Sequence, residues 1–217
     1  MTLEPTETLP EEMGIAIAHT PVALRSRMNV IFALDQRLGR IIAKSVEPAL
    51  AQMRLAWWRE MLQAPASERP SGDSVLDAIG KSWIGYEKAL IALVDGWEEL
   101  LIDPPLTKGV SMRFAQGRAA PFMCLVDEEA RTLLIEIHAM RWALADLAAK
   151  VQSKEERAML VSIGLNLEAS EKRAPKELRG LIVLGALSLR ALKRGGRPLM
   201  EGRGAGLTAF RAALLGR

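Results

Sequence analysis

The chain has a single cysteine, Cys124, in 217 residues, so an intrachain disulfide is excluded. A single cysteine without a disulfide fits a reducing compartment such as the cytoplasm. Aromatic residues are also scarce, at 5%, although hydrophobic residues make up 49% of the chain. Ala, Leu and Ile dominate the hydrophobic set, and this mixture favours helices over a strand-rich sandwich. We therefore predict an all-α fold.

Long apolar runs are missing too. The longest uncharged stretches, such as residues 13–24 and 180–189, fall short of the roughly 18–20 residues that cross a bilayer. The first residues are acidic and lack the positive and apolar regions of a secretory signal. We expect a cytoplasmic protein without a transmembrane segment.

The length suits one domain with a sizeable core. Residues 1–12 are polar, contain two prolines and predict a flexible N-terminal arm, which leaves residues 13–217 as a single helical domain. Apolar periodicity and Pro/Gly breaks predict helices over about 21–45, 48–64, from 74, 86–101, from 107 to a break near residue 121 or 127, 128–151, 154–169, 175–193 and 207–215. The helix over 128–151 is apolar on several sides, so we expect it to be central.

The most distinctive segment is Arg54-Leu55-Ala56-Trp57-Trp58-Arg59-Glu60, which places two adjacent tryptophans between arginines. A helical stripe through Leu50, Arg54, the tryptophan pair and Met61 predicts that Arg54 faces the core. An inward arginine needs an anion. The preceding helix offers Asp35 on its own apolar stripe, so we predict an ion pair between Asp35 and Arg54.

The order of these segments resembles the squalene/phytoene synthase family. Residues 32–38, the Glu47-Pro48 turn and the double-tryptophan run are most similar to divergent bacterial members and to the related mitochondrial complex I assembly factors. Weaker likeness extends over residues 114–122 and 206–217. The resemblance implies an isoprenoid-synthase-like helical bundle.

In active members of that family, two aspartate-rich helices hold Mg²⁺ against prenyl diphosphates that are joined head to head. Mg²⁺ needs several hard oxygen ligands, usually carboxylates one helical turn apart. At the corresponding places this chain has only Asp35 and Asp146, each without a second aspartate on its helix face. We therefore expect no cofactor, with Mg²⁺ required only if the chain is an active enzyme.

A binding function remains open even without the metal clusters. Arginines near an apolar groove could attract a prenyl diphosphate, another lipid or an acidic protein segment. The candidate ligand-binding residues are Asp35, Arg37, Arg40, Arg54, Trp57, Trp58, Arg59 and Asp146.

Charge is distributed unevenly along the chain. Residues 172–217 contain 11 Lys and Arg against 2 Glu, although the whole chain carries only +3. Solvated helix faces account for such a pattern, and so does peripheral contact of the basic C-terminal third with an anionic membrane. We expect no nucleic-acid partner.

Three interpretations stay open. The chain is a catalytically inactive family member that works as a binding or assembly protein, an active Mg²⁺-dependent prenyl transferase, or a helical scaffold unrelated to isoprenoids. Carboxylates that converge on a central cavity would favour the enzyme. A cavity closed by side chains would favour the scaffold.

Overall fold

The structure is a computed structural model that describes residues 9–45, 47–101, 105–126, 132–168 and 174–216. Within these ranges the chain forms ten α-helices and no strand, which confirms the all-α fold. The helices are α1 Glu11–Ala18, α2 Val22–Lys44, α3 Pro48–Gln63, α4 Ser74–Ser82, α5 Glu87–Glu98, α6 Lys108–Met123, α7 Thr132–Lys150, α8 Lys154–Leu165, α9 Arg179–Lys193 and α10 Gly204–Leu215.

Local sequence signals explain most of the helix ends. Pro48 occupies the first turn of α3, where its missing N–H costs nothing. Asp73 caps α4, because its Oδ1 accepts hydrogen bonds from the backbone N–H groups of Val75 and Leu76. Ser153 caps α8 in the same way, and Gly216 ends α10 with a φ of 70°. The boundaries predicted for α2, α3 and α9 are confirmed to within a few residues.

One helix was missed, and several boundaries differ from the predictions. Helix α1 was not predicted; its first turn contains residues 11 and 12, which we assigned to the N-terminal arm, and residues 1–8 lie outside the described residues. Helix α8 ends at Leu165, earlier than predicted. Helix α10 begins at Gly204, earlier than the predicted start at residue 207, because Ala205 and Ala209 gain burial against the protein body.

Helix α7 is the centre of the bundle, as its apolar pattern predicts. It packs against α6, α8 and α9, and its residues from Ile137 to Ala148 are all buried. On one side of α7, α6 packs against α5, and α5 packs against α3. On the other side, α10 and α1 both pack against α9. The buried apolar side chains form one core.

Helices α5 and α6 cross at a pair of glycines. A Cβ atom on Gly117 would lie 2.5 Å from the Cα of Gly96 and 2.6 Å from the carbonyl oxygen of Ala92, so neither helix tolerates a side chain at the crossing. The two backbones therefore approach closely, and the next residues in sequence, Trp97 and Arg118, are both directed into the core. This crossing positions the site described below.

The predicted orientation of α3 is wrong by about one residue. Its buried stripe consists of Ala51, Leu55, Trp58 and Leu62, whereas Arg54 is exposed. Successive helical residues are separated by about 100° around the axis, so the adjacent stripe faces solvent. The small side chain of Ala51 and the large one of Trp58 fill the contact between α3 and the core, and Arg54 does not enter the core.

Candidate functional site

An arginine lies between the two aspartates that the sequence left without partners. Arg118 of α6 donates from Nε to Oδ1 of Asp35 at 2.7 Å and from Nη2 to Oδ2 at 2.6 Å. Its third nitrogen, Nη1, donates to Oδ2 of Asp146 at 2.9 Å. Asp35 comes from α2 and Asp146 from α7, so one guanidinium joins three helices. This is the geometry of a charge-assisted bidentate pair with a second carboxylate added.

Two further donors complete the network. Trp97 of α5 donates its indole N–H to Oδ1 of Asp35 at 2.9 Å. Lys150, one turn after Asp146, places its ammonium 2.9 Å from Oδ2 of that carboxylate. Asp35 and Arg118 have no exposed side-chain surface, whereas Lys150 is more than half exposed. The network therefore extends from the core to the surface at Asp146.

Aromatic rings enclose the guanidinium. The Cζ atom of Arg118 lies 4.0 Å from the ring centroid of Trp142, 5.0 Å from that of Trp97 and 5.3 Å from that of Phe114. Such stacking stabilises a cation that has been removed from water. Beyond Trp142, the rings of Phe32 and Phe122 pack edge to face against it at 5.6 and 5.7 Å. The space between α2 and α7 is occupied by these side chains.

The electrostatics follow from burial and charge pairing. Burial by itself raises the pKa of Asp146, but Arg118 and Lys150 together outweigh that effect and hold the pKa below its ordinary value. Burial also raises the pKa of Asp35, and the contacts with Arg118 and Trp97 act against this shift. The two carboxylates keep the pKa of Arg118 above its ordinary value despite its burial. The guanidinium stays charged.

This arrangement does not fit a Mg²⁺ site. Both oxygens of Asp35 accept hydrogen bonds from Arg118, and a divalent cation bound there would lie beside a buried guanidinium. Within the described ranges, no group of three or more His, Cys, Asp or Glu side chains is placed to hold a metal ion. The chemistry available to the network is structural: it fixes the relative positions of α2, α5, α6 and α7.

The predicted pair between Asp35 and Arg54 is wrong, because the inward arginine is Arg118. The Asp35 half of the prediction is correct in placing that carboxylate in the core. Sequence contained one usable signal for Arg118: Phe114, Arg118 and Phe122 share one helical stripe, so an arginine lies between two buried rings. A partner for it could not be chosen without knowing which helices cross.

The remaining candidate arginines each contact other groups of the protein. Arg37 pairs with Asp73 at 3.2 Å, and Arg40 donates to the carbonyl oxygen of Gln36. Arg59 pairs with Asp95 and Glu98 of α5, which attaches α3 to its neighbour. Because each cation is already engaged with α2, α4 or α5, they do not form a shared anion site.

The two tryptophans of the double-tryptophan segment differ in burial: one packs in the core and the other lies at the surface. Trp58 is 3% exposed and packs in the core, while Trp57 is 39% exposed and contacts Trp58 edge to face at 5.3 Å. Leu50, Met53 and Trp57 are all exposed at the spacing of one helical stripe, with Arg54 beside them. We call these four residues the α3 surface. Arg54 makes no ion pair within the described part of the chain.

Comparisons with known proteins leave the family open. No protein-family model matches the sequence, and no curated protein or solved structure is similar to it at a significant level. The relationship to squalene/phytoene synthases thus stays a prediction. No helix of the described ranges combines the length and apolar character needed to traverse a bilayer.

Proposed function

We propose that this chain is a squalene/phytoene synthase-like protein that has lost the aspartate-rich metal motifs and works as a non-catalytic binding or assembly protein. The observation that carries the proposal is the position of Arg118 between Asp35 and Asp146. In an active enzyme, the helix positions of these two residues would present carboxylates to metal-bound diphosphates. Here a protein cation neutralises them instead.

The lone pairs of the Asp35 carboxylate are already occupied by hydrogen bonds. A buried ion pair persists only when its hydrogen-bonding groups are satisfied, and Asp35 accepts three hydrogen bonds from Arg118 and Trp97. Releasing Asp35 to bind a metal would leave the guanidinium buried without its main partner. The network therefore supports a structural role for the two acids, and the proposed function includes no cofactor.

The α3 surface supports a protein as the binding partner. Trp, Arg and Met are enriched at protein interfaces, and Trp and Arg above all supply binding hot spots. Three exposed apolar side chains surround an arginine that has no partner in the described part of the chain. We infer a partner segment with apolar side chains and a carboxylate that pairs with Arg54. We place this function in the cytoplasm, with no nucleic acid involved.

The catalytic question is tested with purified protein, Mg²⁺ and farnesyl or geranylgeranyl diphosphate. We expect no condensed C30 or C40 product. Turnover by the wild-type chain would overturn the proposal and favour the prenyl transferase, and its disappearance in Asp35→Asn would assign the site. The thermal stability of that variant must be measured alongside, because Asp35→Asn also weakens the buried network.

The binding question is tested at the α3 surface. A photo-crosslinking amino acid at Met53 captures the neighbouring protein in the native host, and one at exposed Gln116 of α6 serves as the control position. The captured protein is then purified, and its affinity for the wild-type chain is compared with that for Arg54→Glu and Trp57→Ser. A hot spot predicts a loss of about tenfold or more. Equal affinities for all three chains would exclude the α3 surface as the binding site. That result would leave the outcome of the enzyme assay unchanged, so the two tests can fail independently.

A further inference from the structure

Helix α10 presents its small residues to the protein and its large apolar residues to solvent. Its buried positions are Ala205, Ala209, Ala212 and Ala213, which pack chiefly against α9. Leu207, Phe210, Leu214 and Leu215 are exposed. A helix that is stabilised only by its attachment to the core normally buries its largest apolar side chains. The reversed arrangement leaves an apolar face without a partner among the described residues.

Basic residues accompany this face. Arg203 and Arg211 are exposed on or beside α10, and the helix contains no acidic residue. Just before α10 begins, Arg190 of α9 and Arg194, which directly follows α9, both donate to the carbonyl oxygen of Glu201. Residues 190–216 contain six Arg and Lys against one acidic residue, and that residue, Glu201, is paired with Arg194. The surroundings of the apolar face are therefore positively charged.

We propose that α10 is an interfacial helix that docks this protein on an anionic lipid bilayer. Its apolar face would enter the boundary between headgroups and acyl chains, and its arginines would contact lipid phosphates. Interfacial helices combine these features: Phe and Leu on one face, arginine at its edges and a length too short to span. With 12 residues, α10 is about 18 Å long and would lie along the membrane plane.

Charge favours a bilayer over a second copy of the chain. In a two-fold contact centred on Phe210, Arg211 would approach its own counterpart, and like charges in a desolvated interface are unfavourable. An anionic surface neutralises both Arg203 and Arg211 instead. The proposal does not depend on the α3 surface, so either can fail while the other stands.

The test is co-sedimentation of the full-length protein with vesicles of phosphatidylcholine alone or mixed with phosphatidylglycerol. We expect binding to the anionic vesicles, weakened by added salt, and little binding to the neutral ones. Arg203→Gln with Arg211→Gln should reduce the affinity about fivefold per arginine. Phe210→Ser with Leu214→Ser should abolish binding.

The control variant is Ile84→Ser, since Ile84 is 64% exposed, as Phe210 is at 63%, but lies between α4 and α5. It should bind vesicles as the wild type does. Absence of binding to anionic vesicles, or equal binding by all variants, would overturn the proposal. A concentration-dependent dimer that is lost in Phe210→Ser would also overturn it, because the face would then join two copies of the chain.

Discussion

Asp35 of α2 and Arg118 of α6 form a bidentate ion pair with no exposed side-chain surface on either residue. They lie 83 positions apart in sequence, so the pair exists only when both helices are in place. Trp97 and Asp146 attach the two remaining central helices to the same pair. One buried cation thus fixes the packing of four helices.

Removing that cation should destabilise the protein strongly. Arg118→Met leaves two carboxylates without their buried partner, and breaking such a pair typically costs about 3–5 kcal/mol. Lys150→Met is the matched control, because Lys150 contacts the same Asp146 from a largely exposed position and should contribute about 1 kcal/mol or less. Urea denaturation measures both variants. Equal losses would show that Arg118 is not the centre of the network.

Replacing the whole network should restore stability. With Asp35→Leu, Arg118→Met and Asp146→Leu combined, no buried charge remains, and such replacements are often neutral or stabilising. Trp97 loses its acceptor in the triple variant, which costs about 1–3 kcal/mol. We expect the triple variant to be more stable than Arg118→Met alone. A triple variant that is less stable than the single one would contradict the electrostatic explanation.

The glycine crossing between α5 and α6 should not tolerate alanine. In Gly117→Ala the new methyl group meets the backbone of Gly96 and Ala92, which no rotamer change can relieve, so we expect a loss of about 3 kcal/mol. Gly80→Ala in α4 is the control. A Cβ there meets no atom within 4 Å, and alanine should stabilise that helix by about 0.5–1 kcal/mol. Thermal unfolding that changes in the same direction for both variants would refute the packing argument.

The adjacent tryptophans should respond differently to truncation. Trp58→Ala removes a ring from the core and should cost about 3–5 kcal/mol. Trp57→Ala removes a partly exposed ring whose main contact is the edge of Trp58, so about 1 kcal/mol is expected. Denaturant midpoints compare the two. If Trp57→Ala proved the more damaging change, the orientation of α3 would have to be the one first predicted from sequence.

His138 should make the protein sensitive to mild acid. Burial, and to a smaller extent Arg141, lowers the pKa of His138 from 6.5 to about 4. Its Nδ1 has no hydrogen-bond partner in the ranges that the structure describes, and a Cβ on Gly185 would lie 2.1 Å from that atom, so the imidazole is tightly enclosed. Between pH 6.5 and 4 the unfolded chain takes up a proton that the folded chain does not.

The free energy of unfolding should therefore fall as the pH falls through that window, by up to about 3 kcal/mol from this residue. His138→Gln removes that contribution but keeps every carboxylate. The difference between wild type and variant should shrink steadily below pH 6.5 and level off near pH 4. A pH-independent difference would mean that His138 is already charged or exposed in the folded protein.

Sequence periodicity was sufficient to predict nine of the ten helices in the described ranges, whereas α1, which is only eight residues long, was missed. Apolar stripes in α2 and α7, together with proline and cap residues at the helix ends, are local signals that do not depend on the rest of the chain. They also placed Asp35 in the core correctly, because Met28, Ile31 and Leu38 surround it on an unambiguous stripe.

The orientation of α3 could not be obtained in the same way. Two neighbouring stripes, one through Leu50 and Arg54 and one through Ala51 and Leu55, are both apolar enough to face the core. The choice depends on the surface that α5 presents to α3, and Ala51 permits the closer approach. Amphipathicity within a single helix contains no information about that partner.

By itself, the sequence determined the helical fold, the inward position of Asp35 and the basic character of the C-terminal third, since these follow from residue types and their spacing. Tertiary structure alone decided that Arg118 neutralises Asp35 and Asp146, because the crossing at Gly96 and Gly117 brings distant residues together. It also decided that α10 turns its large side chains outward, since the residues that it buries, chiefly against α9, are alanines. Both outcomes depend on which helices meet and how closely, and a linear pattern does not specify that distance.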